Sequence, residues 1–199
     1  MHMKITAERL NQALSLLGER LDLRNAGLCH FVVCGGSSLL ALGLVTRTTT
    51  RDVDVLASFD EGQLTRAQPL PAWFLEDAEE VRGQLNLPEN WINAGPSDDS
   101  FFRFGFPEGI ADRLTTRDFG ASLRISFISR YDQVFFKLYA VVDQGPGRHF
   151  QDLQELKPEA AELLAAARWC INQDPSEGFR DILGKVLHHL GNGTIIDQL

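Results

Sequence analysis

The spacing of apolar positions predicts most of the elements of this chain. Between residues 6 and 22, Leu10, Ala13, Leu14, Leu17 and Leu21 recur every three or four residues, which predicts an amphipathic helix with Thr6 as its N-cap. HFVV at 30–33 is a short apolar run and reads as a buried strand. Gly35 and Gly36 then permit a tight turn, Ser37 or Ser38 can cap a helix start, and SLLALGL reads as a brief packed helix. The run TRTTTR leads into a second strand, DVDVLA. From 59 to 121 the pattern weakens: one helix is predicted at AWFLEDAEEVRGQL, and a proline- and glycine-rich stretch, PENWINAGPSDD to FPEGIADR, reads as mostly loop with room for a hairpin. SLRISFIS at 122–129 alternates like a half-buried strand, and YDQVFFKLYAVVDQ at 131–144 returns to helical spacing through Val134, Phe135, Leu138 and Val142. GPGRHFQDLQEL breaks and restarts a helix, and PEAAELLAAARWCINQ and SEGFRDILGKVLHHLG add two more. The expected organisation is a mixed α/β core over 1–130 and a helical region over 131–199, with no internal repeat.

Composition narrows the class. A chain of 199 residues suffices for one sizeable domain, or for a core with a helical appendage. A net charge of −8 gives no general attraction to nucleic acid or anionic membrane. Arg103, Arg113, Arg117, Arg124 and Arg130 could still form a local basic patch. Cys29, Cys34 and Cys170 form neither a CxxC pair nor a disulfide framework, so reduced thiols and a cytoplasmic setting are expected. The start MHMKITAERL lacks the features of a signal peptide, and no stretch approaches the roughly 18–20 apolar residues of a membrane span, so no membrane partner is expected.

The chemistry concentrates in CGGSSLLALGLVTRTTTRDVDVL at 34–56. On a strand, Asp52 and Asp54 point to one face while Val53 and Val55 point to the other. Two carboxylates within roughly 7 Å on one face repel each other and resist burial unless a cation or strong donors neutralise them. Such a pair suits one or two Mg²⁺ ions, which prefer oxygen ligands; the plain alternative is a solvated edge strand. The Gly-Gly-Ser turn at a helix start offers N–H groups and a hydroxyl to a phosphate, although such turns are also common as structure alone. It is neither a P-loop nor a dinucleotide-binding fingerprint.

Gly35, Gly36 and Ser37, then Asp52 and Asp54 with Thr50 and Arg51 just upstream, resemble the signature of the DNA polymerase β-type nucleotidyltransferase superfamily. In that superfamily a Gly-Gly or Gly-Ser turn opens a short helix and the following strand carries Asp-hydrophobic-Asp. Lys137, Ala140, Arg148, Asp152 and Leu153 are similar to a Lys-x-x-Ala segment and an Arg-x-x-x-Asp-Leu helix of bacterial relatives of the AbiEii-type abortive-infection toxins. LPENWINAG resembles a Leu-Pro-x-x-Trp-hydrophobic-Asn segment of the same relatives. The resemblance implies a small, mixed, twisted sheet of nucleotidyltransferase type flanked by helices. It also implies Mg²⁺-dependent transfer of a nucleoside monophosphate from an NTP to an acceptor hydroxyl on RNA, protein or a small molecule. Asp52 and Asp54 would hold Mg²⁺; Gly35, Gly36, Ser37 and Thr50 would contact the nucleotide; Lys137 or Arg148 would offset charge on the leaving pyrophosphate.

Active members of the superfamily take a further acid from a later strand. SLRISFIS carries Arg124 but no acid, and Asp112, Asp118 and Asp132 are the flanking candidates. That gap motivates the alternative of a nucleotidyltransferase-like scaffold without catalysis that binds a nucleotide or a protein partner, including a partner in a toxin–antitoxin pair. Lys137 on a core-facing helix must either snorkel outward or meet an anion, whether phosphate or the Asp52/Asp54 pair. His149 reads as a base, a cap or polar surface. The adjacent histidines of LHHLG point about 100° apart on a helix and make no metal pair.

Overall fold

The computed structural model describes residues 4–97 and 99–199; Met1–Met3 and Asp98, part of the loop read around PENWINAGPSDD, lie outside them. The chain forms two units, one of Met1–Asp99 with Ala111–Ile128 and one of Ser100–Ile110 with Ser129–Leu199.

The first unit is mixed α/β. Helix α1 (Ala7–Leu23) is capped by Thr6, whose hydroxyl accepts the Arg9 N–H, and it buries the leucine stripe that its spacing predicts. Strands β2 (Cys29–Cys34), β4 (Val53–Asp60), β5 (Gln63–Thr65), β7 (Thr115–Asp118) and β8 (Leu123–Phe127) form a sheet of order β5-β4-β2-β8-β7, and β6 (Ile92–Asn93) pairs with β4 beside β5. The sheet is mixed: β2 runs antiparallel to β4 and parallel to β8, while β6 runs parallel to β4. Strands β1 (Ile5–Thr6) and β3 (Thr49–Thr50) pair separately.

One face of the sheet carries Phe31, Val33, Val53, Val55, Leu123, Ile125 and Phe127 into a core shared with α1 and with α3 (Ala72–Leu85). The two helices are also tied by charge: buried Asp77 of α3 receives Arg24 Nε at 2.6 Å and Arg20 Nε at 3.3 Å. Two arginines around one carboxylate offset the cost of burying it.

Strand β4 is not regular. Phe31 faces Ser58 and Val32 faces Ala57, but Val33 then faces Val55, so Leu56 is an extra residue in the ladder. Ser58 shares the core side of the sheet with Phe31, and strict alternation from there would turn Asp54 into the core. The bulge reverses that parity: Val55 and Val53 enter the core and Asp54 turns to the opposite face. The sequence pattern predicts a straight strand from Asp52; the observed strand starts at Val53, leaving Asp52 on the connection from β3.

The second unit is helical: α5 (Arg130–Gln144), α6 (Arg148–Leu156), α7 (Ala160–Gln173) and α8 (Glu177–His189), with the part of α4 (Asp99–Phe104) that comes after Asp99. Ser100–Ile110 belongs here because Trp169 Nε1 and Gln173 Nε2 both donate to the Gly105 carbonyl, at 3.0 and 2.8 Å, and Phe101 stacks on Trp169. Arg130 at the start of α5 makes a two-pronged pair with Glu162 of α7 at 2.7 and 3.0 Å, and it also donates to the carbonyls of Leu156 and Lys157. Among the described residues, no helix is long and apolar enough to cross a membrane.

Gly18 tests how tightly α1 is seated. A methyl group there would fall on the Phe119 backbone carbonyl, whereas helix propensity alone favours alanine by about 1 kcal/mol. Overpacking against rigid backbone costs typically about 1–3 kcal/mol. Gly18→Ala is therefore expected to lower the unfolding free energy in a urea titration. A stabilised variant would contradict this packing.

Candidate active site

Helix α2 (Gly35–Ala41) continues from β2 without a break. Gly35 has φ +67°, and a Cβ on it would lie 2.6 Å from Asp54 Oδ2. The left-handed backbone disfavours a side chain at this position, and one would also press on the Asp54 carboxylate. Register explains the proximity: Cys34, the last residue of β2, lies opposite Asp54 of β4. The first turn of α2 and the Asp54 carboxylate are consequently adjacent.

The neighbouring groups differ in what they offer. Ser37 and Ser38 are fully buried; Ser37 Oγ donates to the Cys34 carbonyl and Ser38 Oγ to the Ile128 carbonyl, each at 3.3 Å. The Ser37 hydroxyl, expected at a phosphate, is thus turned to the backbone. The first N–H groups of any helix have no intrahelical acceptor. Thr50 is buried and its hydroxyl donates to the Asp52 carbonyl at 3.3 Å, bracing the connection that carries Asp52. Asp52 and Asp54 are both partly exposed.

On the other edge of β4, Trp91 sets the position of a further residue. It is buried, donates from Nε1 to the Ala78 carbonyl of α3 at 2.9 Å, and accepts the Val53 N–H at 2.6 Å through its own carbonyl. Strand β6 then pairs Ile92 with Val53 and Asn93 with Asp54. Asn93 Nδ2 faces Asp54 Oδ1 at 3.4 Å, and Asn93 Oδ1 accepts the Gly95 N–H at 2.9 Å. The segment LPENWINAG is legible as a motif, but nothing in its composition shows that it forms a strand beside Asp54.

The expected source of a further acid is revised. Strand β8, the SLRISFIS segment, is separated from β4 by β2. Asp118 lies on β7, one strand farther out, where Arg124 binds it at 2.5 Å and holds its carboxyl below the usual range. Asp112 is exposed in the 3₁₀ turn Ile110–Arg113. Asp132 belongs to the helical unit, where its carboxylate accepts the Ser129 hydroxyl at 2.6 Å while Ser129 caps α5. Among the described residues, no group of three or more His, Cys, Asp or Glu side chains is placed to hold a metal.

In the helical unit, Lys137 has met an anion, and it is Asp152. The ammonium lies 2.8 Å from Asp152 Oδ2 and 3.5 Å from His149 Nδ1, with both charged side chains nearly fully buried. The Lys-x-x-Ala and Arg-x-x-x-Asp-Leu segments are therefore joined by a salt bridge between α5 and α6. Arg148 is exposed at the first position of α6.

Comparisons with protein families, with curated proteins and with solved structures returned no match to this chain.

The buried pair has a measurable signature. Removing one partner strands a charge and costs roughly 3–5 kcal/mol, whereas replacing both with apolar groups is often neutral. Lys137→Met and Asp152→Leu are each expected to cost that much in chemical denaturation, and the double variant less than their sum. Additive losses would show that the two charges do not depend on each other.

Proposed function

We propose that this chain is a nucleotidyltransferase-type protein that transfers a nucleoside monophosphate from an NTP to an acceptor hydroxyl, with its chemistry centred on Asp54 and Asp52. The observation that carries this reading is the close approach of the α2 backbone to Asp54 at Gly35. Donors suited to phosphate and a carboxylate suited to a cation stand side by side, the pairing that a cation-bound triphosphate needs. The donor set fits Mg²⁺, which commonly takes one or two carboxylates and completes its shell with water and substrate phosphates. Asp52 and Asp54 would hold it. Bound there, it would supply positive charge to the triphosphate and make the attacking hydroxyl more acidic.

The remaining work falls to the chain itself. The first-turn N–H groups at Gly35 and Gly36 hold phosphate oxygens, and Thr50 keeps the Asp52 segment in place. The acceptor oxygen bonds to the α-phosphorus as the bond from that phosphorus to the bridging oxygen breaks. Pyrophosphate departs and the hydroxyl proton passes to solvent. Lys137, a candidate for that charge on the resemblance, is instead held by Asp152 within the helical unit.

A catalytically silent relative that binds nucleotide is the second reading, favoured by Asn93 standing where an acid would add a ligand. Calorimetry with each NTP in the presence and absence of Mg²⁺, together with transfer of label from α-labelled NTP, separates the two. The wild type is expected to bind at least one NTP in a Mg²⁺-dependent way and to transfer label. Asp54→Asn should lower transfer by roughly 10²–10³, the scale of losing one preorganised electrostatic group. Transfer unchanged in Asp54→Asn would refute the assignment, and Mg²⁺-dependent binding without transfer would favour the silent reading.

A further inference from the structure

Asn93 stands next to Asp54 on the strand that flanks β4 away from β2. Neighbouring strands lie about 4.8 Å apart, so side chains paired in register on one face can share a ligand. The orientation of the amide is set by its partners. The Gly95 N–H can only donate, so the atom 2.9 Å from it is the amide oxygen, and the amino group is left facing Asp54 Oδ1 at 3.4 Å. Asn93 therefore offers Asp54 a donor, and presenting its oxygen to a cation there would break both contacts.

We infer that Asn93 occupies the place from which a side chain would share a cation with Asp54 and fills it with a hydrogen-bond donor, so that divalent cation and nucleotide enter the site together. The inference rests on the proposed function for the identity of the nucleotide, but its geometric half stands on the β4–β6 pairing alone. A carboxylate at this position would repel Asp54 whenever no cation is bound. The amide avoids that repulsion and donates to Asp54. The trade is a cation affinity that is weak until phosphate oxygens complete the shell.

The test is Mn²⁺ titration of nucleotide-free protein, read by electron paramagnetic resonance of the free ion. Asn93→Asp is expected to bind Mn²⁺ at least about tenfold more tightly than the wild type, because affinity at oxygen sites tracks the number of charged ligands. The gain should vanish in Asn93→Asp/Asp54→Asn. If Asn93→Asp is unfolded without metal, millimolar Mn²⁺ should restore its circular dichroism spectrum and should not restore the double variant. Asn93→Asp that binds no tighter than wild type, keeps its gain without Asp54, or is not restored by Mn²⁺ would overturn the inference. Label transfer lost or absent in the wild type bears only on the proposed function, since this titration contains no nucleotide.

Discussion

The bulge at Leu56 is the feature on which the candidate site depends. It lets one strand do two incompatible things: its later half pairs with β2 in a register that puts Ser58 on the core side, while its earlier half sends Val53 and Val55 into that same core. Without the extra residue the parity would invert and Asp54 would sit among Phe31, Val33 and Phe127, where an unpaired carboxylate is expensive. With it, Asp54 faces away from α1 and α3 and meets the start of α2. Bulges recur beside active sites for this reason, since they re-aim one side chain without dismantling the sheet.

Around that device the first unit is built to hold backbone in place. The β2–β4 register brings Cys34 opposite Asp54, so the chain turns into α2 directly against the carboxylate, at a glycine whose left-handed backbone would strain any other residue. On the far edge Trp91 is pinned to α3 and in turn receives the Val53 N–H, so the core helix that buries Phe74 and Val81 also fixes Asn93. Buried charges elsewhere are met within their own unit: Asp77 by two arginines and Lys137 by Asp152. Asp52 and Asp54 are the carboxylates to which the proposed function assigns a cation.

The helices are legible in the sequence because their signal is local. The leucine stripe of α1 with its Thr6 cap, the α3 segment and the α5 periodicity all depend on contacts three or four residues apart, and the structure matches them closely. Strands β2 and β8 are legible from short apolar or alternating runs. What the pattern does not carry is pairing. DVDVLA alternates cleanly, so neither the bulge nor the strand start at Val53 is visible in it. Strand β6 is two residues long, too short for any period, and it is held by the tryptophan before it. SLRISFIS alternates well and so draws the expectation of a further acid, but it pairs with β2 and thus lies two strands from β4 and Asp54. In the same way the Gly-Gly-Ser motif is recognisable, yet the inward turn of the Ser37 hydroxyl depends on how the helix docks.

The central claim is that Asp54 and the first turn of α2 receive one ligand between them. The most direct measurement is a crystal structure of the chain with Mn²⁺ and a non-hydrolysable NTP, using anomalous scattering to locate the metal. The claim predicts a Mn²⁺ peak within about 2.5 Å of an Asp54 carboxylate oxygen, with the triphosphate in contact with the Gly35 and Gly36 backbone. A nucleotide bound elsewhere on the chain, with no metal at Asp54, would contradict it.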